Sequence, residues 1–261
     1  MTEQPQENPV FAAFREQMYE KYESSLRASM ELVQISKALF KCPLCEPLHK
    51  VIRFIARIVV NSNGAVMTLA VNGYGNDAMR VARSIFEGSV TVAYLRLHPE
   101  LVEDYIDFPS IRRWQLYEHL ASTDPGFVKG IPASRIDEMR HEFEITAPRF
   151  RNKKGSLLGS WCRKSLRKMS EDVGLGGWYP VFYTRASGME HIDMSGIEAQ
   201  KSRDMFEVEV APSECCVKEA LTVGFNFTFR VLYDFDDAAN LGFKRDFGAV
   251  KDAYLASRSQ R

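Results

Sequence analysis

Neither sign of charge is in excess: 34 lysines and arginines stand against 34 aspartates and glutamates. No global field therefore draws the chain to nucleic acid or to an anionic membrane, and any such binding has to come from a local patch. Cysteine is also scarce. Five residues, an odd number, make no disulfide framework and fit reduced thiols in a cytoplasm. Uninterrupted apolar runs are missing too: the greasiest stretch, around Val51 to Val71, is broken by Arg53, Arg57, Asn61, Ser62 and Asn63. That pattern reads as an amphipathic core helix, not a bilayer span. The opening residues MTEQPQENP have neither a basic segment followed by an apolar run nor a small-residue cleavage site, which argues against secretion. There is no internal repeat and no motif that calls for a cofactor. The expectation is a cytoplasmic protein with no membrane association.

With 261 residues, 45% apolar and 26% charged, the chain can bury an ordinary globular core. We read one helical domain over 1–261, with its core at 10–242, an N-terminal tail at 1–9 and a helical C-terminal tail at 243–261. Apolar residues return every three or four positions from Phe11 to Phe40, which predicts a long first helix ended by Pro43 and Pro47. A second helix is expected over Leu48 to Asn72. The third, Asn76 to His98, is apolar over more than half its circumference and should be central. Pro99 suits the start of a fourth helix, which Pro109 is expected to break in two before a turn-rich loop at Ser122 to Pro132. Ser134 is expected to cap a short charged helix ending near Pro148. Further helices are predicted from Trp161 to Val173, from Pro180 onward, and from an N-cap at Ser213 to Asn240, with Gly242 as the stop. Between Ile192 and Pro212 the helical period is lost, and MFEVEV alternates like a short strand within Met205 to Val210. The fold class is therefore all-α, a bundle of about six to eight helices with one irregular insertion.

Two stretches, DAMRVARSIFEGSVTVAYL continuing through HPELVEDYIDF, and SWCRKSLRKMSEDVGLGGWYPVFYTRASGMEH, resemble a bacterial family catalogued as domain of unknown function 5677. The resemblance spans about Asp77 to His191. It implies an all-α fold and the polar positions Arg83, Glu87, Tyr183, Ser187 and His191, and it implies no activity.

The residues themselves point to several candidate sites. On the third helix Arg80, Arg83, Ser84, Glu87 and Thr91 share roughly 100° of arc, with Arg83 and Glu87 one turn apart. Such a face is either a solvated ion-pair stripe or a guanidinium clamp for phosphate or carboxylate. The last long helix carries a narrow polar stripe of Glu219, Thr222, Asn226, Arg230, Tyr233 and Asp234, in which Arg230 is either satisfied by Asn226 and Asp234 or faces the arginines of the third helix across a pocket. His191 follows Ser187 by one turn, behind the aromatic group Trp178, Tyr179, Phe182 and Tyr183, which could wall a cleft. The histidine serves there as an acid/base group or as a helix-end residue on the last carbonyls.

Eight basic and no acidic residues between Arg149 and Lys168, with Trp161 among them, form either a solvated surface or a phosphate-tracking patch with a stacking aromatic. Cys42, Cys45 and His49 resemble half a zinc knuckle, yet no second CxxC exists and the adjacent Cys215 and Cys216 are poorly placed to complete one, so no metal is expected. Arg113 with His119, and Arg135 with His141, repeat the spacing of the arginine-to-histidine motif of helical HEPN ribonucleases without its intervening polar residue. The preferred reading joins Arg80, Arg83, Glu87 and His191 as catalytic residues with Arg230, Asn226, Ser187, Tyr183 and Trp161 as substrate-binding ones, in an RNA- or phosphate-directed, ribonuclease-like effector. A non-enzymatic binding or scaffold protein is the alternative, and a homo-oligomer is open to either.

Overall fold

The computed structural model describes residues 9–190 and 212–259. Among these, 80% are helical and no strand occurs, so the chain is all-α. The expected short strand at Met205 to Val210, most of the irregular insertion and His191 lie outside the described residues. The helices are α1 (Pro9–Leu39), α2 (Pro47–Val71), α3 (Gly75–Leu97), α4 (Val102–Thr123), α5 (Pro125–Val128), α6 (Ala133–Thr146), α7 (Leu166–Asp172), α8 (Thr184–Glu190), α9 (Val217–Ala239) and α10 (Lys244–Ser259). Short 3-10 turns cover Pro99–Leu101 and Ala147–Phe150, and a π-turn covers Tyr179–Tyr183.

The chain divides into two compact units, residues 98–165 and the remainder. In the larger unit α2, α3 and α9 pack on one another, α1 lies against α9, α10 and α2, and α7 and α8 lie on α3. Gly75 abuts Cys215 to Val217, the Phe86 ring meets Phe227 at 5.0 Å, and Arg96 pairs with Asp234, so α3 and α9 run parallel. Close approach depends on small residues: Gly224 of α9 faces Asn63 and Val66 of α2, and Gly88 of α3 faces Val59 and Ile55. By length and composition α2 is the one described helix that could cross a membrane, and it buries Val51, Ile52, Ile55, Val59, Val66 and Ala70 within this unit. The expected helical C-terminal tail is α10, whose Phe247 and Tyr254 are buried against Phe229 and Phe225.

The smaller unit packs α4 on α5 and α6 around Phe108, Ile111, Ala147 and Phe150. Here the sequence reading needs correction. Pro109 does not break α4, because its ring is on the exposed face and the neighbouring Phe108 and Ile111 are buried in the cluster, which holds the helix across the missing amide bond. Ser134 lies inside the first turn of α6, where Pro132 is the cap residue without a side-chain bond. The helix expected from Trp161 starts only at Leu166, because Leu157, Leu158 and Trp161 are packed against the same cluster and fix that stretch in an irregular path. In the larger unit, Ser213 is not the cap of α9: its amide donates to the Gly73 carbonyl at 3.1 Å, and the helix begins after Cys216.

Candidate functional site

The arginine face of α3 is turned onto the chain's own π-turn and α8. Arg83 Nε lies 3.2 Å from Glu87 Oε1, the i, i+4 pair that the spacing suggested. Tyr183 completes the group: its hydroxyl accepts from Arg83 Nη2 at 3.0 Å and donates to Glu87 Oε1 at 2.9 Å. The guanidinium also sits 4.8 Å from the centre of the Tyr183 ring. Burial and the Glu87 carboxylate push the Tyr183 hydroxyl above the usual tyrosine range. One turn earlier, Arg80 donates from Nε to the Met189 carbonyl at 2.9 Å and pairs with Asp77 at 2.5 Å. The guanidinium clamp therefore has an occupant, the segment 179–189 of this protein. Aromatic packing reinforces it, with Phe86 touching Phe182, Tyr183 and Phe227, and Trp178 edge-on to Phe227.

Arg230 belongs to a second cluster. Its Nε donates to the buried Asp234 at 2.8 Å, and Arg96 of α3 reaches both Asp234 and Asp237. Asp237 also takes Lys244 Nζ at 2.6 Å, and chiefly this bond holds its carboxyl below the usual range. In the parallel register set by the Arg96–Asp234 pair, Arg230 is roughly 13 Å of helix rise from the level of Arg83. The two helices are neighbours, as expected, but their arginines serve separate networks. Asn226 and Ser187 are half-buried on α9 and α8, and His191 falls outside the described residues.

The arginines of the basic segment make local contacts, while Lys153 and Lys154 stay exposed. Arg149 pairs with Asp104 and Asp107, Arg151 and Arg163 donate to the Gly155 and Arg151 carbonyls, and Trp161 packs edge-on to Tyr105 at 5.2 Å. Downstream, Arg167 pairs with Glu171. Arg113 and Arg135 of the two arginine-to-histidine spacings pair with Glu142 and Glu138. Among the described residues no three histidine, cysteine or acidic side chains gather as a metal site.

Two open spaces stand out among the described residues: a polar one of about 390 Å³ between α1 and α10, lined by Glu23, Arg27 and Glu31, and a mainly apolar groove beside the π-turn. Met79 of α3, Trp178, Val181 and Phe182 of the π-turn region, and Thr222 and Val223 of α9 line about 250 Å³ of accessible space, with Arg185, Lys218 and Glu219 completing the lining. Its walls are mainly apolar, and two of its three charged residues are cationic. Within this lining Trp178 and Val181 stay 40% and 72% exposed. The sequence hinted at two walls, through the aromatic group at 178–183 and through Glu219 and Thr222 of the polar stripe. It gave no sign of Met79, Arg185 or Lys218, which no local spacing connects.

A family model described as Family of unknown function (DUF5677) matches residues 49–206, more than half of the chain, including most of α2, all of α3 and the π-turn. No curated protein and no solved structure matches.

Proposed function

The chain belongs to the DUF5677 family, which assigns it no activity, and we propose that it acts by binding: its groove holds a small ligand with an apolar body and a carboxylate head. The observation that carries this reading is the groove itself, an open apolar trough with Arg185 and Lys218 in its lining. The volume is somewhat below the range of about 300–1,000 Å³ usual for pockets of drug-sized ligands and suits a short acyl chain or a single ring. Apolar walls supply the affinity, and the two cations orient the head group and steer its approach. Glu219 disfavours a head of higher negative charge. The RNA- or phosphate-directed alternative draws its support from the sequence pattern, since Arg80, Arg83 and Arg230 have partners within the protein and Trp161 is packed in its own unit. A cytoplasmic setting is part of the proposal, on the five cysteines.

Titration calorimetry with straight-chain carboxylates from butanoate to decanoate tests it. Binding should tighten about three- to fourfold per added methylene until the groove is full, then level off. Arg185→Ala or Lys218→Ala should weaken the longest binder several-fold. Absence of saturable binding along the series, or affinity independent of chain length, would refute the proposal.

A further inference from the structure

Immediately before α9, two adjacent cysteines hold their sulfurs 3.7 Å apart. Neighbouring residues in a helix or strand project about 100° or 180° apart, which separates their side-chain ends. Here the backbone is turned: Cys216 has φ +62°, in the left-handed region that non-glycine residues seldom occupy. The turn is held from outside. The Ser213 amide is bonded to the Gly73 carbonyl, and the Cys215 carbonyl is so close to Gly75 that a Cβ there would stand 2.0 Å from it. Cys216 is buried and Cys215 half-buried, and Arg185 Nη2 is 3.5 Å from the Cys216 sulfur. The groove reading makes no use of this pair.

We propose that Cys215 and Cys216 form a reversible redox dithiol that closes to a disulfide between adjacent residues when a hydroperoxide oxidises it. Cys215, the more open sulfur, attacks the peroxide as a thiolate, forming a sulfenic acid and releasing the alcohol or water. The Cys216 sulfur then attacks that of Cys215. The S–O bond breaks, and the departing hydroxide takes the Cys216 proton and leaves as water. Two thiols and one hydroperoxide become one disulfide, one alcohol and one water, with both electrons coming from the sulfurs. Burial first, and the neighbouring Cys215 second, push the Cys216 thiol up to about 12, so that it keeps its proton until this second step. Arg185, at 3.5 Å from the Cys216 sulfur, works against that rise without cancelling it. Adjacent Cα atoms are about 3.8 Å apart, closer than the roughly 4.4–6.8 Å usual across a disulfide. The closed form is thus strained and easily reduced, as a reversible device requires.

The test uses the full chain carrying Cys42→Ser and Cys45→Ser, so that the surface CxxC does not compete for oxidant. After equimolar hydrogen peroxide and alkylation with N-ethylmaleimide, the tryptic peptide 204–218, which contains these two cysteines and no other, should be unalkylated and lighter by two hydrogens. Dithiothreitol should return it to the doubly alkylated form. In Cys216→Ser, dimedone should trap Cys215 as the sulfenic acid; in Cys215→Ser, Cys216 should stay reduced. Any one of three results overturns the proposal: a peptide still doubly alkylated after peroxide, a bond from either residue to Cys162 or to a second chain, or oxidation of Cys216 alone in Cys215→Ser. The disulfide result does not depend on whether the groove binds a carboxylate.

Discussion

Tyr183 makes two hydrogen bonds through a single oxygen, one accepted from Arg83 and one donated to Glu87. Its ring contributes separately, stacked on Tyr179 at 4.7 Å and tilted against Phe86. Tyr183→Phe removes the oxygen and keeps the ring, leaving Arg83 and Glu87 still paired. We expect a loss of about 1 kcal/mol, seen as a melting temperature lower by roughly 2–4 °C. The pH dependence has a defined sign. Because the folded protein holds the Tyr183 proton more tightly than an unfolded chain does, the contribution is complete below the usual tyrosine range and declines as the pH rises into it. The gap between wild type and Tyr183→Phe should therefore narrow above about pH 10 in denaturant titrations, and a constant gap would remove the account of this hydroxyl. The Arg83–Glu87 half of the network was legible in the sequence, because a helix brings i and i+4 together. Tyr183 was marked by the family resemblance and by the aromatic group at 178–183 but not as the partner of that pair, and the Arg96–Asp234 bridge was not legible at all, since it joins residues 138 apart with no local pattern to announce it.

At the junction of α3 with the start of α9 the backbones approach closely. An alanine Cβ at Gly75 would meet the Cys215 carbonyl at 2.0 Å and the Val217 amide at 2.7 Å, both backbone atoms that cannot step aside. Gly75→Ala should cost about 2–4 kcal/mol or prevent folding. Gly64→Ala, in the middle of α2 with nothing within 4 Å, should instead stabilise by about 0.5–1 kcal/mol through helix propensity. Equal effects of the two in chemical denaturation would contradict this packing. The same junction is tied to α1 by Glu214, which accepts from Tyr22 and Lys21, both at 2.5 Å, and is held below the usual carboxylate range chiefly by the Lys21 bond. Tyr22 sits where α1 departs from helical geometry, so this tie fastens a kink. Glu214 is partly open to solvent, so Glu214→Gln should cost less than about 1 kcal/mol at neutral pH. Its depressed carboxyl contributes fully above the usual carboxylate range and loses that contribution as the pH falls through its folded value, so the variant and wild type should converge in acid. Helices α1, α2 and α3 were legible almost to the residue from apolar period and flanking prolines or glycines. The start of α9 was not, because Ser213 has the chemistry of a cap but is bonded to Gly73, and the left-handed Cys216 takes the cap position three residues later, a tertiary arrangement that local pattern does not encode.

At the scale of the molecule, the groove draws on three stretches far apart in sequence, at 79, 178–185 and 218–223. Each has a local reason for its shape: α3 is buried on most sides, the π-turn is anchored by Phe182 and Tyr183 on Phe86, and α9 starts late after a left-handed Cys216. Only their assembly produces an apolar trough with cations in its lining, and hydrophobic period reports faces of single helices, not spaces among three. In the proposed function this groove, and not the arginine face of α3, is the binding surface. Octanoate titrated against two variants tests it most directly, with Trp178 fluorescence as the signal in a background of Trp114→Phe and Trp161→Phe. Val181→Asp places a carboxylate on an exposed groove wall, and Arg83→Gln disrupts the arginine network while leaving the groove lining intact. Saturable binding should be abolished by Val181→Asp and retained within about threefold by Arg83→Gln; binding that survives Val181→Asp and disappears with Arg83→Gln would place the ligand on the arginine face instead.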